Sequence, residues 1–87
     1  MAGTHPLHVV RAPQQLGPLL RALRKQADLT QADVAGQLGV TRQAVSELEN
    51  RPESATFERL TKLCAVLGVE IALQPRGAPH PAQAPEW

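Results

Sequence analysis

The stretch QADVAGQLGVTRQAVSELEN, from Gln31 to Asn50, decides the fold. Apolar residues stand at Val34, Ala35, Leu38, Val40, Val45 and Leu48. The first three share one helical face, and Val45 and Leu48 repeat that spacing after a break at Gly39. Thr30 followed by Asp33 has the form of a capping box, in which each side chain satisfies a free backbone N–H at the helix start. Thr41 can cap a second helix in the same manner. Gly39 falls where the first helix must end, and glycine takes the left-handed turn conformation there without steric cost. Two short helices around a glycine turn, the second with a polar outer face, make a helix-turn-helix pattern.

The flanks supply further helices. Pro13 suits a helix start. Leu16, Leu19, Leu20, Leu23 and Ala27 then form a helical stripe, which predicts a first helix at about 14–27. Pro18 interrupts it near the beginning, so the helix either starts there or kinks. Arg21 and Lys25 read as its solvated face. Thr56 caps a fourth helix with Glu58 in its first turn, Phe57, Leu60, Leu63, Cys64 and Leu67 on one side, and Gly68 at its end. Val69–Gln74 alternates, with Val69, Ile71 and Leu73 on one side, which is a strand period. A single strand leaves its backbone unpaired and needs a partner. Leu7–Val10 of the same chain is one candidate, and the same strand of a second copy is the preferred one. The expected fold is therefore mainly α: a four- to five-helix domain over 13–74 plus one strand paired across a homodimer. An arm (1–12) precedes it, and a mobile tail (75–87) with four prolines follows.

Composition narrows the chemistry. At 87 residues the chain holds one domain with a small core, which a shared dimer core would support. One Phe, one Trp and no Tyr cannot provide an aromatic platform for single-stranded bases. The net charge of +1 means that any nucleic-acid binding must come from locally placed groups. Cys64, the lone cysteine, lies in an apolar stripe and reads as a core residue in a reducing compartment. No apolar run suits a membrane span or a signal peptide, which predicts a cytoplasmic protein. His5, His8 and His80 lack metal-ligand spacing or a base partner, so neither an enzyme nor a bound cofactor or metal is expected.

The stretch LTQADVAGQLGV, with small Ala35 where the helices cross and VSELEN at the close, resembles the helix-turn-helix of phage-repressor-like transcription regulators. The resemblance implies that the second helix of the motif enters the major groove of operator DNA with its N-terminal residues on base edges. Thr41, Arg42, Gln43, Ser46 and Glu47 occupy those positions. Arg42 can donate twice to guanine, Gln43 can bond adenine in two places, and Glu47 can accept from cytosine or hold Arg42 or Gln43. Gln31 matches the position that binds phosphate, and Asn50 and Arg51 are further phosphate contacts. The resemblance also implies an ion pair between Arg24 and Glu49.

The helices, the strand VEIALQ and a tail ending in Glu-Trp are together similar to HipB-type antitoxins. Those are small dimeric repressors encoded beside a HipA-type serine/threonine kinase toxin, and they carry a protease-sensitive tail. Carried over, the partners are operator DNA, a second copy, a HipA-type kinase toxin and a cytoplasmic protease that acts on the tail. Trp87 becomes either a toxin anchor or an accidental chain end. A repressor without a toxin, or an adaptor without DNA binding, would share the fold. Arg42 and Gln43 speak against the adaptor.

Overall fold

The structure, a computed structural model, describes residues 7–76. Four α-helices are present: α1 (Leu16–Gln26), α2 (Gln31–Leu38), α3 (Arg42–Asn50) and α4 (Phe57–Leu67), with 3-10 turns at Pro13–Gln15 and Pro52–Ser54. The first helix is shorter than its periodicity predicts. Pro18 has no N–H to give to Gln14, so regular α-helix cannot extend back across that step. The preceding turn closes instead on Gln15, whose Oε1 accepts from the Arg11 and Ala12 amides at 2.5 and 2.9 Å. Pro18 itself falls in the first turn of α1, where no N–H partner exists within the helix. Ala27, expected on the apolar stripe, lies past the helix end and is exposed. There the chain turns through Asp28 at φ 60°.

The caps of the other helices follow their sequence signals. Thr30 Oγ1 accepts from the Asp33 amide at 3.0 Å, and Asp33 Oδ2 accepts from the Thr30 amide at 2.9 Å. Those bonds hold the Asp33 carboxyl below its ordinary range. Thr41 and Thr56 accept from the amides of Ala44 and Arg59 at 3.0 and 3.1 Å. Gly39 and Gly68 end α2 and α4 at φ 72° and 78°.

The core is Leu20, Val34, Ala35, Val45, Leu48, Leu63, Cys64 and Leu67, drawn from all four helices. Phe57 does not join it and is 68% exposed. Helical side chains lean toward the N-terminus, so a residue at the first position of α4 leans out past the packed layer. Burial raises the Cys64 thiol above its ordinary pKa, which keeps it a neutral core group.

Residues Val69–Gln74 form no strand, and no β-ladder exists among the described residues. Val69 packs against the core, while Ile71 and Leu73 are 45% and 96% exposed. Leu7–Val10 is likewise extended and is not paired with them. The intrachain pairing considered from the sequence is thus absent. In a single chain nothing satisfies the edges that a strand at 69–74 would create.

Candidate nucleic-acid interface

Helix α3 is held by one face and open on the other. Thr41 caps it, and Val45, Leu48 and Glu49 are buried. Thr41, Arg42, Gln43 and Glu47 are exposed, Ser46 is half-buried, and Asn50 and Arg51 are exposed at the far end. Among the described residues Glu47 makes no salt bridge, so it does not restrain Arg42. The three side chains Arg42, Gln43 and Glu47 form a polar strip over the first six residues of α3, free to meet a partner.

The orientation of that strip is set by a polar cluster around Glu49, which is 2% exposed. Arg24 from α1 reaches it with two nitrogens, Nε to Oε2 at 2.5 Å and Nη2 to Oε1 at 3.3 Å. The same guanidinium donates to the Leu29 carbonyl at 3.0 Å, which fastens the turn into α2. Gln31 Nε2 donates to Glu49 Oε1 at 3.1 Å. One carboxylate therefore ties α1, α2 and α3 together. Burial pushes its pKa up. Hydrogen bonds from Arg24 and Gln31, the Arg24 charge and a bond from Arg21 outweigh that and hold it below the ordinary value.

Gln31 is accordingly less free than a surface phosphate contact would be. A carboxylate only accepts, so the Gln31 amide must turn its NH₂ inward. One amide hydrogen serves Glu49, and the other remains for an outside acceptor.

Arg21 is the residue that sequence reasoning missed. It stays exposed, as its solvated-face reading expects, but it is not free: its Nη2 donates to Asn50 Oδ1 at 2.9 Å and its Nε sits 3.4 Å from Glu49 Oε1. Asn50 Nδ2 donates in turn to Ser46 Oγ at 3.4 Å. The available signal was its spacing: Arg21 lies one turn before Arg24 and so shares the side of α1 that meets Glu49. Lys25 is exposed, as expected. Close helix contact is possible because Gly17 is buried, and a Cβ at that position would strike the Glu49 carbonyl oxygen. Among the described residues no group of acidic, His and Cys side chains could hold a metal ion. Trp87 lies outside the described residues.

A short capped helix locked on one side, with an open polar strip on the other and a preceding helix across it, defines a helix-turn-helix domain. Residues 20–74 match the helix-turn-helix family, and the chain belongs to it. Antitoxin HipB of Escherichia coli (strain K12) is 27% identical over 64 residues, spanning 74% of this chain and 73% of HipB. Among solved structures, a HipB–O1–O2 complex superposes with TM-score 0.72 at 25% identity, over 79% of this chain and 100% of that one. The fold is also that of a chain in a HipA–HipB–O2–O3 complex, with TM-score 0.73 at 24% identity, over 80% of this chain and 99% of that one.

Proposed function

We propose that this chain is a sequence-specific DNA-binding repressor and the antitoxin of a HipA-type kinase toxin, which it neutralises while repressing its own operon. The observation that carries the reading is the fixed α3: Glu49, Val45 and Leu48 anchor one face, and Arg42, Gln43 and Glu47 are left open on the other. A rigid helix with exposed bidentate donors at its start is what major-groove readout requires. The likeness to Antitoxin HipB supports the antitoxin half of the reading.

In this reading Arg42 and Gln43 contact base edges, with Thr41, Ser46 and Glu47 beside them. Gln31, Asn50 and Arg51 contact phosphates. Val69, Ile71 and Leu73 join the same strand of a second copy, and the dimer presents two readers roughly 34–36 Å apart on a two-fold-symmetric operator. Trp87 and the tail over 75–87 meet the toxin, and the tail is the site of proteolysis. The protein is not an enzyme, needs no cofactor and works in the cytoplasm. Among the described residues no helix is long and apolar enough to cross a membrane.

The test has two parts. DNA from upstream of the gene is titrated with wild-type protein and Arg42→Ala. A loss of about 1–3 kcal/mol with relaxed preference at one base position is expected, whereas Gln31→Ala should weaken all sequences alike. Binding indifferent to both defeats the groove assignment. The chain is then co-expressed with the product of the neighbouring gene, with and without residues 75–87. Co-elution on size exclusion and rescue of growth are expected from the full chain only. A full chain that never co-elutes leaves a repressor without a toxin.

A further inference from the structure

The cluster around Glu49 holds more positive charge than it needs. Two guanidinium groups, Arg21 and Arg24, face one carboxylate, and Arg24 alone is well paired with it. Arg24 is buried, with 10% of its side chain exposed, while the Arg21 side chain is 44% exposed. The uncancelled charge of the cluster therefore sits on Arg21, at the surface.

Arg21 also decides which way Asn50 faces. A guanidinium only donates, so the oxygen of the Asn50 amide must turn toward it and the NH₂ must turn away, toward α3. The observed bonds have that sense: Arg21 Nη2 to Asn50 Oδ1, then Asn50 Nδ2 to Ser46 Oγ. The bond to Ser46 is long, at 3.4 Å, and uses one of two amide hydrogens. A donor thus remains at the exposed end of α3, beside a half-exposed cation. Arg21 and Asn50 line one shallow groove between the start of α1 and the end of α3. Glu53 also lines it and keeps it from being a general anion trap.

We propose that Arg21 is a positioning residue for DNA binding: it fixes the Asn50 amide so that one Nδ2 hydrogen is left for an outside acceptor, and it supplies the positive charge left over from the Glu49 pairing, which draws one backbone phosphate to that end of α3. This rests on the DNA-binding reading above. The ligand is the phosphodiester backbone of duplex DNA, so the contact carries no sequence preference of its own.

The experiment uses the full chain with two duplexes, the DNA upstream of the gene and one of mixed sequence, with affinity measured across a salt series. Arg21→Gln is expected to reduce the slope of log affinity against log salt by about 1 for each bound copy, equally on every sequence. Arg21→Lys keeps the charge and should retain the slope, which separates charge from folding. Arg21→Gln and Asn50→Ala should also cost less together than the sum of their separate losses, because the first already frees the Asn50 amide. Circular dichroism melts establish that each variant is folded at the assay temperature. Additive losses, or an unchanged slope in folded Arg21→Gln while wild type binds with a clear salt dependence, overturn the role of Arg21 alone. Wild type that binds no duplex overturns the DNA-binding reading and this proposal with it.

Discussion

Glu49 is a carboxylate that cannot be left alone. It is 2% exposed, and removing its partners strands a charge in a low-dielectric site. Arg24→Ala and Glu49→Ala should each cost about 3–5 kcal/mol, and Arg24→Ala should fall at the lower end because Arg21 and Gln31 still reach the carboxylate. The double variant should lose clearly less than the sum, as read from urea unfolding. The pH dependence has a definite sign. The folded carboxyl lies below its ordinary value of 4.5, so the unfolded chain takes up the proton first as pH falls. The stabilisation from Glu49 is complete above about pH 4.5 and disappears as pH drops through the lower folded value. Glu49→Gln should flatten that acid limb of the stability curve. Asp33 is lowered as well, by its bonds to Thr30, so part of the limb should persist until Asp33→Asn is added.

Helix α1 has to approach α3 closely at Gly17, whereas Gly36 in α2 faces open space. Alanine in place of glycine inside a helix ordinarily gains about 0.5–1 kcal/mol. Gly36→Ala should therefore raise the urea midpoint. At Gly17 the added Cβ meets the Glu49 carbonyl oxygen, backbone that cannot simply move aside. An overpacking cost of about 1–3 kcal/mol exceeds the propensity gain, so Gly17→Ala should lower the midpoint. It should also loosen the cluster, because the displaced backbone is that of Glu49 itself. The same two residues in the same secondary structure thus have opposite expected signs, and only their surroundings differ.

At the scale of the molecule, the large apolar side chains left exposed include Leu7, Val9 and Val10 on one extended segment and Ile71 and Leu73 on another. A chain with a net charge of +1 has little electrostatic reason to bind DNA tightly as one copy. Pairing the segment at 69–74 across a two-fold axis would cover Ile71 and Leu73 and double the number of readers. Ile71→Asp should shift the protein toward monomer in sedimentation equilibrium and weaken operator binding far more than binding of a single half-site. A dimer that persists in Ile71→Asp would place the interface elsewhere.

The local features were legible because each depends on neighbours in the sequence. The caps at Thr30, Thr41 and Thr56 and the glycine stops at Gly39 and Gly68 need only a few residues to act. The helical stripes of α2 and α3 and most of the core follow from periodicity in the same way. The Arg24–Glu49 contact was expected only through family resemblance, since nothing local links residues so far apart in the chain. Tertiary structure alone decided the rest. It gave the exposed Arg21 a partner in Asn50, committed half of the Gln31 amide to Glu49, and left Phe57 outside the core. It also withheld the strand at 69–74, which alternation can suggest but a partner must complete. Hydrogen-bond partners and burial depend on which helices cross and how closely. A periodic pattern names the face that turns inward; which residue waits there on the facing helix is settled only when the helices pack.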